Sequence, residues 1–165
     1  MEFFILKQDR KNKNVISIKC TYEQIEGKKA QVVFADLEEE KDRPDFFEIQ
    51  KLDKIIYVVS ERMKELMAIY ADTLEFTPFV LVDPNRKLQE NYWKIQLEKV
   101  DCVEKVPNGI YGKLENIVLD EEKLEECYLF SIEIEKRIYL VASLHFVENF
   151  LRKNMFGIDW IRLKA

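Results

Sequence analysis

Apolar and polar positions along this chain switch repeatedly between the two-residue period of a strand and the 3.6-residue period of a helix. Residues 3–7 read as a strand, and residues 15–20 set Val15, Ser17 and Lys19 against Ile16, Ile18 and Cys20. The polar stretch DRKNKN between them suits a hairpin. Residues 31–34 add a short strand and residues 36–44 an exposed acidic loop. Residues 54–59 are β-rich, and Ser60 stands as an N-cap before a helix on which Met63, Leu66, Met67 and Tyr70 share a face. In the strand at 74–82, Pro78 has no amide to give a neighbour and predicts an edge or a bulge. After the turn Asp83-Pro84-Asn85, residues 91–100 place Tyr92, Lys94, Gln96, Glu98 and Val100 opposite Trp93, Ile95, Leu97 and Lys99. That alternation predicts an antiparallel strand solvated on one side.

The later residues follow the same logic. A loop at 107–112 leads to a strand at 115–119 and a short acidic helix or turn at 120–126; residues 128–135 and 138–141 make a hairpin about Lys136-Arg137. Ser143 caps a second helix with Phe146, Val147, Phe150 and Leu151 on its apolar face, Asn154 and Gly157 provide its exit, and residues 158–163 close as a strand. Two stretches match each other. Ile56-Tyr57-Val58-Val59-Ser60, its helix and Phe76 parallel Ile138-Tyr139-Leu140-Val141-Ala142-Ser143, its helix and Ile158, with 20 residues between the outer anchors in both. The 165 residues are expected to form a single α+β domain: a mostly antiparallel twisted sheet, two or more packed helices, and a weak strand-helix-strand repeat.

Composition narrows the chemistry. Hydrophobic residues at 47% and charged residues at 35% support a core and exclude disorder as the main state. One histidine, His145, excludes metal sites that need two imidazoles. Cys20, Cys102 and Cys127 lack CxxC spacing and read as reduced core thiols, which suits the cytoplasm. No apolar run reaches 18 residues, and no export leader is apparent. Net charge is −5, yet residues 1–30 carry seven Lys/Arg against four acids, so the remainder is strongly acidic. Such a surface disfavours nucleic acid and favours a basic protein partner.

No cofactor, metal or catalytic constellation is expected. Asp36, Asp45, Asp83, Asp101, Glu104 and Asp120 are scattered at strand ends and turns, and His145 lacks a serine elbow. Gly109-Ile110-Tyr111-Gly112 reads as a turn, and Trp93, Trp160, Tyr92, Phe46 and Phe47 as sheet and core aromatics. Two acidic runs remain as partner-facing candidates: Glu38, Glu39, Glu40 and Asp42, and Asp120, Glu121, Glu122, Glu125 and Glu126.

The succession Phe47-Glu48-Ile49, Ile56-Tyr57-Val58-Val59-Ser60-Glu61, Leu74-Glu75-Phe76-Thr77-Pro78-Phe79, Tyr92-Trp93-Lys94-Ile95, Val100-Asp101-Cys102-Val103-Glu104, Ile138 to Ser143 and Gly157-Ile158-Asp159-Trp160 resembles the bacterial immunity-protein family of polymorphic toxin systems. The resemblance spans residues 46–163, with 1–45 a divergent front; the serine that opens the family's helix is matched by Ser60, and Ala142 is added before Ser143. It implies a cytoplasmic, non-enzymatic protein that binds and blocks a cognate toxin domain. The alternatives are an RNA-binding module built on the basic stretch from Lys7 to Lys19 and a small carboxylate-dependent hydrolase.

Overall fold

A computed structural model describes residues 1–11, 16–39, 41–52, 54–106 and 113–164. A first run of elements comprises β1 (Phe3–Gln8), β2 (Ser17–Ile18), α1 (Tyr22–Ile25), β3 (Gln31–Asp36), β4 (Phe46–Lys51), β5 (Lys54–Ser60), α2 (Glu61–Tyr70) and β6 (Glu75–Asp83). The second comprises β7 (Leu88–Gln96), β8 (Val103–Lys105), β9 (Val118–Leu119), β10 (Leu129–Ile134), β11 (Arg137–Ser143), α3 (Leu144–Arg152) and β12 (Ile158–Arg162), with 3₁₀ turns at Leu114–Asn116 and Glu121–Leu124. The expected α+β class holds, in one domain whose sheets are mostly antiparallel.

One sheet has the order β2-β3-β6-β7-β5-β4 and another β10-β11-β1-β12. Beyond β12, Lys164 bridges in parallel to Val118 of β9, and β9 pairs antiparallel with β8. The second assembly therefore reads β8-β9-β12-β1-β11-β10, the order of the first with each strand replaced by its counterpart. Even the odd pairing repeats: β3 lies parallel to β6 as β9 does to the end of β12. The chain is one unit built twice, with first strands exchanged. β7 completes the first unit's sheet and β1 the second's.

Register makes the correspondence residue by residue. Ser60 faces Tyr92 as Ser143 faces Phe3, Phe76 faces Ile95 as Trp160 faces Leu6, and Val80 faces Val32 as Lys164 faces Val118. The repeat legible in sequence is thus real but shifted. Ile56 corresponds to Tyr139 and Phe76 to Trp160, because the phase is set by the cap serines and one extra residue separates α3 from β12. Both caps are made: the Ser60 hydroxyl accepts from the Met63 amide, and that of Ser143 from Phe146.

Three expectations are corrected. β1 forms no hairpin with β2 but lies between β11 and β12; its Phe3-Phe4-Ile5-Leu6 run is apolar on both sides, which suits a central strand. β6 is internal, with no bulge, and Pro78 is tolerated because β3 begins to pair with β6 only at Phe79. β7 ends at Gln96 and is covered on both faces, with Tyr92 and Lys94 buried as well as Ile95.

Helices α2 and α3 share the central core, where Met63, Leu66 and Met67 meet Phe146, Val147 and Phe150 above Tyr57, Val59, Ile95 and Leu140. Leu151, expected on that face, is exposed on the last turn. The helices run antiparallel: Arg62, near the start of α2, reaches the Lys153 and Asn154 carbonyls at the end of α3, while His145, near the start of α3, reaches Tyr70 at the end of α2. On the outer face of the first unit, Ile25 and Leu37 cover Phe47, Val58, Phe79 and Leu81. On the second, Ile117, Leu119 and Leu124 cover Phe3, Ile5, Phe130 and Ile132.

Candidate functional site

Four buried charged side chains show which chemistry is already committed. Asp45 accepts from Arg62 Nε and Nη2, each at 2.7 Å, from the Ser60 hydroxyl at 2.6 Å and from the Phe156 amide at 3.0 Å. It ties β4, α2 and the entry to β12 together. Gly157 belongs to this junction, since its φ is +111° and a Cβ there would stand 2.9 Å from the Phe46 carbonyl oxygen. Asp83 accepts from the Leu37 amide at 2.9 Å and from Arg86 Nη1 at 2.7 Å, and these bonds hold its carboxyl down at about 2. Glu48 exchanges hydrogen bonds with Gln8, at 2.8 Å and 3.0 Å, and meets Lys7 at 3.4 Å. Lys94, 6% exposed, donates to the carbonyls of Ile25 and Gly27 and to Gln31 Oε1 at 3.0, 2.8 and 3.4 Å. The three carboxylates each have a cation; Lys94 is paired with no anion among the described residues.

The remaining reactive types lie apart. The Tyr70 hydroxyl is 3.0 Å from His145 Nδ1 and accepts from the Asn149 amide, which places the histidine in an exposed polar corner between the helices. Cys20, Cys102 and Cys127 are free, and burial lifts the Cys102 thiol to about 11, so it stays protonated. Asp36 pairs with Lys19, and Asp101 and Glu104 are exposed. Gly109 to Gly112 and Lys13 lie outside the described residues. Among those described, no three His, Cys, Asp or Glu groups gather as metal ligands, and no helix is long and apolar enough to cross a membrane.

The two acidic runs occupy matching places, each leading into equivalent strands, β4 and β10. They are not brought together: Leu37 anchors the first into the outer core of one unit, and Leu124 anchors the second into that of the other. Glu38, Glu39 and Asp42 are exposed, and Glu40 lies outside the described residues; Glu121, Glu122, Glu125 and Glu126 are exposed and Asp120 is half-buried. Several have local duties. Glu38 pairs with Lys41 at 3.3 Å, Glu121 with the terminal amine at 3.2 Å, and Asp120 accepts from the Glu122 amide.

A surface absent from the sequence reading is more distinctive. Register puts Val32 and Phe34 of β3 on one sheet face with Phe76, Pro78, Val80 and Val82 of β6. The same face is covered by α2 further along β7, and Lys64 lies 4.0 Å over the Trp93 ring and 4.7 Å over Phe76. Beyond Lys64 the face is bare, with Val32 70% exposed and Phe34 57%, and Phe76 at its border keeps 48%. In the second unit the corresponding face carries Arg162 and Lys164 in place of Pro78 and Val80, and Glu2, ion-paired with Arg162, in place of Asn91. At the positions of Val32 and Phe76 the second unit keeps Val118 and Trp160, but both are half-buried there, so the difference between the faces is one of exposure and added charge. The sequence did hold one signal, since Val32-Val33-Phe34-Ala35 is apolar on both faces, which a strand solvated on one side does not need.

Comparison of the chain with protein-family models, with curated proteins and with solved structures finds no match.

Proposed function

We propose that this protein neutralises a cognate bacterial toxin domain by binding it directly, laying the bare face of β3 and β6 over the toxin's working surface. The carrying observation is the exposure of Val32, Phe34 and Phe76 on a face where the second unit half-buries Val118 and Trp160 and adds Arg162, Lys164 and Glu2. A contiguous exposed apolar patch marks an interaction site and is a liability when left uncovered. Large side chains such as Phe34 and Phe76 are suited to act as anchors in a partner's pockets. The acidic runs and the net charge of −5 attract and orient a basic toxin without contributing most of the affinity.

The resemblance of residues 46–163 to immunity proteins supplies the class of partner. β6 lies within that stretch and β3 outside it, so the divergent front supplies half of the proposed surface. Blocking of this kind uses shape and charge and no reaction, and it takes place in the cytoplasm, where a toxin would meet its target. The test is to find whether a neighbouring gene encodes a domain that kills cells unless this chain is co-expressed; with it, cells are expected to survive and the two proteins to elute as one complex. Survival without a complex would remove the direct-binding reading.

A further inference from the structure

Strands β5 and β7 pair from Ser60 and Tyr92 to Tyr57 and Ile95, and then part. β5 stays with β4 as far as Lys54, while the chain beyond β7 turns to β10, where the Ser131 hydroxyl donates to the Leu97 carbonyl and the Ser131 amide to that of Glu98. A cavity of about 320 Å³ opens in this fork, a size at the small end of ligand sites. Its inner wall is apolar, with Ile95, Leu97 and Leu140 buried and Ile55 and Ile138 half-buried, while Lys28, Glu75 and Gln96 stand exposed at its rim.

The second unit has the same fork between β11 and β1, and there it is plugged. Lys7 lies 5.8 Å over the Tyr139 ring and meets Glu48, which also exchanges hydrogen bonds with Gln8. By register, Gln96, Ile56 and Ser131 hold the positions of Lys7, Tyr139 and Glu48. The fork itself is shared; Ile56 and Gln96 line the cavity where the second unit has the larger Tyr139 and Lys7, and Ser131 offers no carboxylate to hold a cation there. Lys94 also lines it, at the position where the second unit has the fully buried Ile5. A desolvated ammonium held only by neutral oxygens is costly, and replacing it with isoleucine is compatible with the fold.

We propose that this cavity binds a small monocarboxylic acid, its carboxylate on the Lys94 ammonium and its aliphatic tail against Ile95, Leu97, Ile138 and Leu140. The carboxylate takes the place of the longest Lys94 contact, the 3.4 Å bond to Gln31. One ammonium matches one negative charge. Lys28 at the rim is already paired with Glu75 at 3.1 Å, and that carboxylate repels a dianion such as a phosphate ester. The site is separate from the bare face of β3 and β6 and does not depend on the toxin reading.

Octanoate, titrated calorimetrically into the full chain with 1-octanol as uncharged control, tests the proposal. Saturable one-site binding is expected, about ten-fold or more tighter for octanoate than for octanol, as a charge-assisted contact provides. The variant Ile56→Tyr with Gln96→Lys and Ser131→Glu copies the plugged fork and abolishes binding, and Lys94→Met weakens octanoate alone. No octanoate binding, equal affinity for octanol, or unchanged binding by the plugged variant overturns the proposal. If Lys94→Met fails to fold, the plugged variant and the octanol control decide.

Discussion

The two units of this chain use one topology and one set of registers, and they differ where the fold leaves a choice. Positions that carry the architecture keep their type: Ser60 and Ser143 cap the helices, Phe47 and Phe130 fill the outer cores, and the Ser60 and Ser143 amides donate to Asp45 and Tyr128 at 2.9 and 2.8 Å. Three places diverge. Where one helix end is fastened by a buried carboxylate and arginine, the other has an exposed histidine; one fork is open and the other plugged; one sheet face is bare and apolar, and the other half-buries its apolar residues among charges. A duplicated fold provides its own control, since any feature found in one copy alone is not demanded by the architecture.

The largest effect comes from breaking the unequal fastenings. Asp45→Ala leaves the half-exposed Arg62 to water and the Phe156 amide and Ser60 hydroxyl without their acceptor, and is expected to cost about 2–3 kcal/mol of unfolding free energy. His145→Ala, at the equivalent of Arg62, is expected to cost less than about 1 kcal/mol, because its partner Tyr70 can turn to water. Urea midpoints of the two variants measure the difference. Next come the faces. Val32→Asp with Phe34→Asp should leave the urea midpoint unchanged and weaken toxin binding by about 100-fold, roughly 2.7 kcal/mol. Arg162→Glu on the matching face should leave affinity alone.

Smaller effects sharpen the picture. Reversing Glu38 and Glu39, or Glu121 and Glu122, should slow association by a few-fold, about 0.6–1 kcal/mol, with little change in dissociation, and the effect should vanish at high salt. Stopped-flow binding at two ionic strengths separates this from a contact role. Asp83 gives its signal only in acid. Its carboxyl titrates lower folded, near 2, than unfolded, so its contribution is complete above about pH 4 and is lost as pH falls toward 2. Asp83→Asn should therefore flatten the fall in stability over that window and nowhere else.

Much of this architecture was legible in local pattern. Ser60 and Ser143 mark helix starts by their chemistry, the β10–β11 hairpin follows from alternation around Lys136-Arg137, and the repeat shows in Ile56 to Ser60 against Ile138 to Ser143. What pattern could not give was partnership at a distance. Nothing in Phe3-Phe4-Ile5-Leu6 says that β1 crosses to the far unit, and alternation misassigned Lys94 to solvent because the carbonyls that hold it come from residues 25 and 27. The acidic runs were found by composition and prove to be equivalent, separate and exposed. The bare face was missed because exposure depends on what fails to pack there, which no single strand encodes.

Hydrogen exchange on the complex with the proposed toxin partner tests the central claim most directly. Binding through the first unit's bare face predicts new amide protection at residues 31–36 and 75–82, with 158–164 unchanged. Protection confined to the second unit's face, or to the acidic runs alone, would contradict it.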